Sequence, residues 1–402
     1  MRPWDSFQGT RIKVLRSFLR GAHLTRQEVA RLIRQSLPAA ASHIDALMEA
    51  GLLKLSGQRP SSGGRPADEY QINPPSLAAI GVELHPNYIL SICCGINGDI
   101  WDSVRTDIDS SLVRDGAYTE AVIAKAINRL QQKWSQQLFI HGAGVAVPGI
   151  VDCENRLLVN APNLFLKNYS FAGLAQKLLL PLYIDNEANA AAIGEYWTSS
   201  VPPSTSMVLI SIREGVGAGI LLAGQVVRGR RWRAGEFGHM AIRAGVRPCN
   251  CGRTGCWEQY VSERALIADL GEAAIARLKD HIDDGDASVS SVWARYIESL
   301  AIGIENIAAC INPDLVVISG SIADLGDRLI QPLQSALAEV SFLTQGIQVS
   351  VSKHPNIASA LGAGLMTFSG LLPGLGLKKP EMLNMYENRM TSTKNEGDSH
   401  VG

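Results

Sequence analysis

From Ala78 onward the sequence writes the same order of elements twice. In the first series AAIGVEL, YILSICCGI and GDIWDSVRTDI read as three consecutive strands, YTEAVIAKAINRLQQKW as a helix, and FIHGAGVAVPGIVD as a strand running into a loop. The second series starts at MVLISIREGVGAGILLAGQVV and passes a cluster of cysteines. It continues through helices around Ser262 to Ala276 and Trp293 to Ile311, and closes with DLVVISGSI and ALGAGLM. Strands followed by helices, twice over, predict a duplicated α/β architecture of two lobes with a cleft between them. Periodicity alone does not choose this arrangement over other α/β folds.

The text ahead of the joint NPPS is of another kind. IKVLRSFLRG carries Ile12, Val14, Leu15, Phe18 and Leu19 at the spacing of one buried helical face, with Gly21 placed to end it. In LTRQEVARLI, Thr25 and Glu28 form a capping box ahead of a face of Val29, Leu32 and Ile33. A third helix starts near Ser36 or Leu37, tolerates Pro38 in its first turn, turns Ile44, Leu47 and Met48 inward and stops at Gly51. Two short strands follow, Leu52 to Leu55 and Glu69 to Ile72, around a flexible basic loop. Three helices and this hairpin predict a winged helix-turn-helix. Its DNA contacts are expected from Ser42, His43 and Asp45 on the third helix. Arg59, Gly64 and Arg65 in the wing suit a narrow minor groove. The alternative is a small helical protein-binding module. The helix offers mostly alanines in LPAAASH, so readout leans on shape and on the wing.

Charge supports the nucleic-acid reading. Residues 1–75 hold eleven lysines and arginines against six acids, a local balance of +5 in a chain whose total is -1. The whole chain therefore has no global pull toward nucleic acid or membrane. At 402 residues, with 46% apolar and 19% charged residues, it is an ordinary globular composition with room for more than one core. No run reaches the roughly 18 apolar residues of a membrane span, and the charged N-terminus is unlike a signal peptide. A cytoplasmic location is expected. The seven cysteines read as thiols or metal ligands, not as a disulfide framework. Within RPCNCGRTGCWEQY, Cys249, Cys251 and Cys256 supply three thiolates in eight residues, and Gly252 and Gly255 let the backbone turn tightly around an ion. Buried thiols without metal are the alternative.

Taken in order, EGVGAGILLAGQVVRGRRWRAGEFGHM, CNCGRTGCWE and VVISGSI resemble the ROK family, which unites bacterial sugar kinases with sugar-responsive repressors. The match extends over nearly the whole body. A winged helix ahead of it resembles the repressor branch, of the xylose and N-acetylglucosamine repressor type. The resemblance implies a two-lobed, actin-like (hexokinase-like) α/β fold behind the head. The expected boundaries are 1–75 for the DNA-binding domain, 76–185 for the N-terminal lobe, 186–370 for the C-terminal lobe with metal and sugar sites, and 371–402 for a partly disordered tail.

The resemblance also assigns residues. The fourth metal ligand falls on His239 of the E-x-G-H motif, giving one His and three Cys around a structural Zn2+ with no open position. Such an ion, worth about 10 kcal/mol or more, can offset much of the entropy of ordering the loop, about 1 to 2 kcal/mol per residue. Asn186 and Glu187 match the family's sugar-binding Asn-Asp pair, Glu236 and His239 the E-x-G-H, and Glu258 the acid two places beyond the last cysteine. Pro148, Gly149 and Asn163 fall where the other lobe approaches the ring. Carboxylates, amides and imidazoles are natural partners for sugar hydroxyls.

Three positions depart from the kinases of the family. The Gly-rich phosphate turn D-x-G-G-T is here Glu83-Leu84-His85-Pro86, and proline has no amide to donate. Glu187 stands at the position of the catalytic Asp, its carboxylate displaced by about 1 Å, a misplacement that can cost ~100-fold. The third is REGVGAG, where Glu214 puts negative charge at the second phosphate turn; Gly215, Gly217 and Gly219 persist there, which tight packing alone would explain. The expectation is a sugar-responsive regulator, most simply a repressor, that binds operator DNA as a homodimer or tetramer and a sugar or sugar phosphate in the interlobe cleft, with no ATP. The alternatives are a hexose or amino-sugar kinase carrying a DNA-binding head, and a body that only dimerises the head.

Overall fold

A computed structural model of the chain describes residues 9–371, apart from 20–21, 61–65, 200, 203, 341 and 370. The expectations for Gly21, for Gly64 and Arg65 in the wing, and for the tail beyond 371 lie outside the described residues.

The head is a winged helix. Helices α1 (Thr10–Ser17), α2 (Arg26–Ile33) and α3 (Leu37–Glu49) pack with a three-stranded sheet of β1 (Leu24–Thr25), β2 (Leu53–Arg59) and β3 (Ala67–Ile72), in the order β1-β3-β2. Both halves of the Thr25–Glu28 capping box form, and Ser36 caps α3 with Pro38 in the first turn. Arg34, in the left-handed conformation at φ 55°, closes α2 and sets up the turn into α3. Val14, Leu15, Phe18, Val29, Ile44 and Leu47 are fully buried. One expectation fails: Leu32 is 60% exposed. The inward face of the two-turn α2 is centred on Val29 and Ala30, with Ile33 half-buried, and that rotation swings Leu32 out. Strand β1 was also not foreseen, since two residues carry no period.

Beyond the head the chain repeats one sheet topology. Strands β4 (Ala78–Leu84), β5 (Tyr88–Gly95) and β6 (Ile100–Asp107) form an antiparallel meander. Helix α4 (Gly116–Trp134) then crosses to β7 (Ile140–Val147), parallel to β4. A small sheet of β8 (Ile150–Asp152), β9 (Leu157–Ala161) and β10 (Leu166–Ser170) follows, then α5 (Ala172–Lys177) and β11 (Leu182–Asn186), which completes the order β11-β7-β4-β5-β6. Every residue of β4 is buried, so one face packs on α4 and neither face is wet.

The second sheet has the same order. After α6 (Glu187–Thr198) come β12 (Met207–Ile212), β13 (Val216–Leu222) and β14 (Gln225–Val226) as an antiparallel meander. Helices α7 (Glu258–Val261), α8 (Glu263–Leu270), α9 (Glu272–Ala276), α10 (Leu278–Asp283) and α11 (Ala287–Ile311) precede β15 (Leu315–Ser319), parallel to β12. Then α12 (Asp327–Val340), β16 (Gln348–Val351) and α13 (Ala358–Met366) complete β14-β13-β12-β15-β16. Gly219 on β13 persists for packing: a Cβ there would lie 2.3 Å from the Ala188 carbonyl oxygen of α6.

The chain divides into two compact units. The first runs to Asp185 and takes in Trp197–Ser200 and the segment from Ala363 onward; the second is Asn186–Tyr196 with Val201–Gly362. Among the described residues no helix is long and apolar enough to cross a membrane.

Candidate functional site

The second unit holds a preorganised donor set. One ligand atom from each of His239, Cys249, Cys251 and Cys256 lies within 4.8 Å of the other three. His239 Nδ1 is 3.6 Å from Cys249 Sγ, and Cys251 Sγ is 3.6 Å from Cys256 Sγ. A tetrahedral centre with metal–sulfur bonds of about 2.3 Å has edges of about 3.8 Å, so these residues fit a four-coordinate metal with one imidazole and three sulfurs.

The loop reaches this shape through its own backbone. Ala241 bridges Cys256 and Pro248 bridges Thr254 as short antiparallel pairs, and Gly252 and Gly255 hold φ of 86° and 79°. Gly255 has a second constraint, since a Cβ there would meet the Arg243 carbonyl oxygen at 1.9 Å. Arg253, which sequence reading overlooked, donates to the His239 carbonyl at 2.7 Å. With its backbone N–H, Arg253 also holds the Cys251 thiol down to about 6, whereas burial pushes Cys256 up to about 12. Just after the last cysteine, fully buried Trp257 donates its indole N–H to the Ser299 carbonyl of α11 at 2.8 Å and lies against Gly303.

The imidazole of His239 has two neighbours. Nδ1 faces Cys249, and Nε2 lies 3.9 Å from Glu236 Oε2. Burial raises the Glu236 carboxyl above its ordinary value, His239 and Arg233 oppose that shift, and Glu258 adds to it. Glu236, His239 and Glu258 therefore share one electrostatic neighbourhood. Glu258 Oε2 accepts the Val216 N–H at 3.0 Å, and Oε1 accepts from Arg264 at 3.4 Å. Gly215 makes room for it: a Cβ would lie 2.7 Å from Glu258 Oε2. Asn186 caps α6, its Oδ1 accepting from Ala188 N–H at 2.8 Å and Asn189 N–H at 3.2 Å, and Glu187 begins that helix. In the first unit Gly149 follows β7 at φ 103°, and Asn163 is exposed in a short 3-10 turn.

The two turns compared with phosphate loops are closed by internal bonds. His85 N–H donates to the Tyr88 carbonyl at 2.9 Å, Asn87 N–H to His85 Nδ1 at 3.2 Å, and the His85 ring stacks on Tyr88 at 4.3 Å. Between β12 and β13, Arg213 N–H donates to the Gly215 carbonyl at 2.9 Å, with Glu214 exposed. A groove of about 660 Å³ is lined by α10, α11 and α12 and contains none of the residues assigned to metal or sugar.

On the head, Ser42 is exposed and His43 half-buried. Asp45 pairs with Arg26 at 2.5 Å, and Arg26 also meets the Tyr70 hydroxyl. Arg59 ends strand β2 and bonds Glu28 and Glu69, each at 2.6 Å, so it ties the root of the wing to α2. The sequence gives no sign of this, because Glu28, Arg59 and Glu69 meet only in the folded head.

A family model described as the ROK family matches residues 80–368. A xylose repressor of Caldicellulosiruptor bescii is 27% identical over 390 residues, covering 91% of this chain and 96% of that protein. A glucokinase of Halalkalibacterium halodurans is 28% identical over 309 residues, 71% of this chain and 93% of its own. The solved structure of a ROK family transcriptional regulator, a homologue of the E. coli MLC protein, has the same fold: TM-score 0.73 at 22% identity, over 91% of this chain and 96% of that one.

Proposed function

The chain belongs to the ROK family, and from that premise we propose that it is a sugar-responsive, DNA-binding transcriptional regulator, a repressor of genes for carbohydrate uptake or breakdown. The observation that carries this is the winged helix formed by residues 10–72, joined to the family's body in one chain. The xylose repressor relative spans the same combination of head and body, whereas the glucokinase matches a shorter part.

The regulator acts in the cytoplasm, on operator DNA, with Ser42 and His43 of the recognition helix α3 as contacts, together with Gly64 and Arg65, which lie outside the described residues. Two heads are needed for a two-fold operator, so it works as a homodimer or a dimer of dimers. The metal is zinc, held by His239, Cys249, Cys251 and Cys256. One histidine and three thiolates fill a tetrahedron, so the ion is structural: it orders the loop and orients Nε2 of His239. Glu236, His239 and Glu258, with Asn186 and Glu187, receive the sugar hydroxyls, and Gly149 and Asn163 complete the assignment. A sugar shifts operator affinity only by its differential affinity for two states of the protein.

Sugar phosphorylation is lost in this reading. The His85–Pro86 turn spends its amides on itself, and Glu187 is longer than the Asp of the kinases. Operator binding measured against a panel of pentoses, hexoses and amino sugars tests the sensor: at least one sugar shifts it, and no shift from any of them overturns the sensing. The glucokinase relative keeps a second reading in view, a kinase with a DNA-binding head. A coupled ADP-release assay separates the two, since a working kinase turns over at about 1 per second or faster.

A further inference from the structure

Between β14 and Glu236 the chain carries Arg228, Arg230, Arg231 and Arg233 within six residues, with Trp232 among them. This segment is a clamped arch. Val227 N–H donates to the Ile220 carbonyl at 2.8 Å, Ala234 N–H to the Arg228 carbonyl at 3.1 Å, and Trp232 N–H to the Gly229 carbonyl at 3.2 Å. Gly229 and Gly235 hold φ of 71° and 87°, and a Cβ on Gly235 would lie 2.3 Å from the Ala218 carbonyl oxygen, so the exit of the arch is pressed onto β13. At the crown Trp232 adopts φ 59°, a conformation unfavourable for a bulky side chain and common where a loop is held for a purpose.

The arginines of the arch differ from others in the same unit. Arg243, Arg247, Arg264 and Arg328 each meet a carboxylate. Arg228 is buried at the foot of the arch, but Arg230, Arg231 and Arg233 are exposed. Among the described residues these three form no hydrogen bond or ion pair. Arg233 stands three residues before Glu236, which itself sits 3.9 Å from His239 Nε2, so the arch leads directly into the candidate sugar residues. Three exposed guanidinium groups with no hydrogen-bonded or ion-paired carboxylate among the described residues, on a clamped arch that leads into Glu236, are placed to receive an anion. Guanidinium suits phosphate and carboxylate alike, through paired, planar donors.

We propose that the arch of Arg230, Arg231 and Arg233 is an anion-binding subsite, and that the effector is a sugar carrying a phosphate or a carboxylate, its ring hydroxyls on Glu236, His239 and Glu258 and its charge on the arch. This rests on the sugar-sensor reading above. With Glu236 and Glu258 assigned to the ring and, among the described arginines, only Arg264 paired to them, at 3.4 Å from Glu258, an anion would be repelled unless further positive charge lay beside them.

Isothermal titration of the full-length, metal-loaded chain tests it, with three sets of probes. These are neutral sugars (D-xylose, D-glucose, N-acetyl-D-glucosamine), their terminal phosphate monoesters, and the uronic acids D-glucuronate and D-galacturonate. A charged probe binds about tenfold or more tightly than its neutral parent, as a charge-assisted bidentate contact requires. The R230A/R231A/R233A variant removes that advantage and leaves metal content unchanged, and the corresponding triple lysine variant retains part of it. Preference for the phosphates or for the uronates identifies the anion. Neutral parents binding as tightly as every charged form overturns the subsite while leaving a sugar sensor standing, and no binding from any set overturns both. A triple alanine variant that keeps the charge preference, or that weakens operator binding in the absence of sugar with a shallower salt dependence, also overturns the subsite, the second result assigning the arch to DNA.

Discussion

The two five-stranded sheets share one strand order, and what hangs on them differs. In the first unit a single helix, α4, links the meander to the fourth strand. In the second, the same link carries the arginine arch, the metal loop and five helices before β15 begins. Inside, both sheets combine buried aliphatic side chains with glycines that admit a neighbouring backbone. In β4 and β5 the core is closed by Ile80, Val82 and Ile92, all fully buried, and β13 brings Gly217 and Gly219 against α6. One topology thus stands nearly bare in one place and in the other is the mount for a cluster of one histidine and three cysteines that could hold a metal ion. Both copies use close backbone approach: a Cβ on Gly144 of β7 would lie 1.8 Å from the Ala363 carbonyl oxygen, as one on Gly219 would lie 2.3 Å from that of Ala188.

The sharpest way to break this contrast is to remove the metal proposed for His239, Cys249, Cys251 and Cys256. Replacing Cys251 with Ser, or chelating the wild type, is expected to lower the melting of the second unit by about 10 °C. Hydrogen exchange should rise in peptides covering residues 239–261 and leave β4 and β5 protected. Equal loss of protection in both sheets would show that the loop supports the whole chain. Next in size is Gly219→Ala, whose methyl collides with the Ala188 carbonyl. It should cost about 1 to 3 kcal/mol in urea unfolding, against about 0.5 to 1.5 kcal/mol for Ile92→Val in the first sheet. A harmless Gly219→Ala would remove the packing account of that glycine.

Much of this was legible in advance for a physical reason. Meanders with long apolar strands announce themselves by local period, and so did the capping box of α2. What escaped was decided by non-local geometry. Leu32 turned outward because a two-turn helix centred its buried face one residue away. Strand β1 exists only through pairing with β3, and Arg59 found Glu28 and Glu69 across the fold. At the candidate site the residue types were readable in the sequence, but the capping of α6 by Asn186 and the hold of Glu258 on the Val216 amide were not, since each depends on where a backbone N–H points.

Two smaller effects sharpen the comparison. Glu258→Gln keeps an acceptor for the Val216 N–H but loses the charge facing Arg264 and, in the proposed sensor, the sugar. Sugar response is expected to weaken about tenfold, as for loss of a charge-assisted bond, while the melting temperature moves little. In the head, the Thr25 backbone N–H and the Arg59 guanidinium hold the Glu28 carboxyl below its ordinary value. A depressed folded-state pKa contributes stability above the unfolded value, and that contribution is lost as pH falls through the folded one. Circular dichroism of Glu28→Gln against wild type should show a small gap at neutral pH that closes in acid, the smallest effect of the set. A gap that widens in acid would reverse the assignment.

The seat of Trp257 against Gly303 has a consequence for heredity. The loop of the three cysteines is fastened to a helix of 25 residues by the Arg243–Glu298 ion pair and by an indole that fits only because position 303 has no side chain. A genetic selection for regulators deaf to their inducer should therefore return, beside the cysteine codons, changes at the codons for Gly303 and Gly255. Neither residue has a functional group to offer a sugar or an ion.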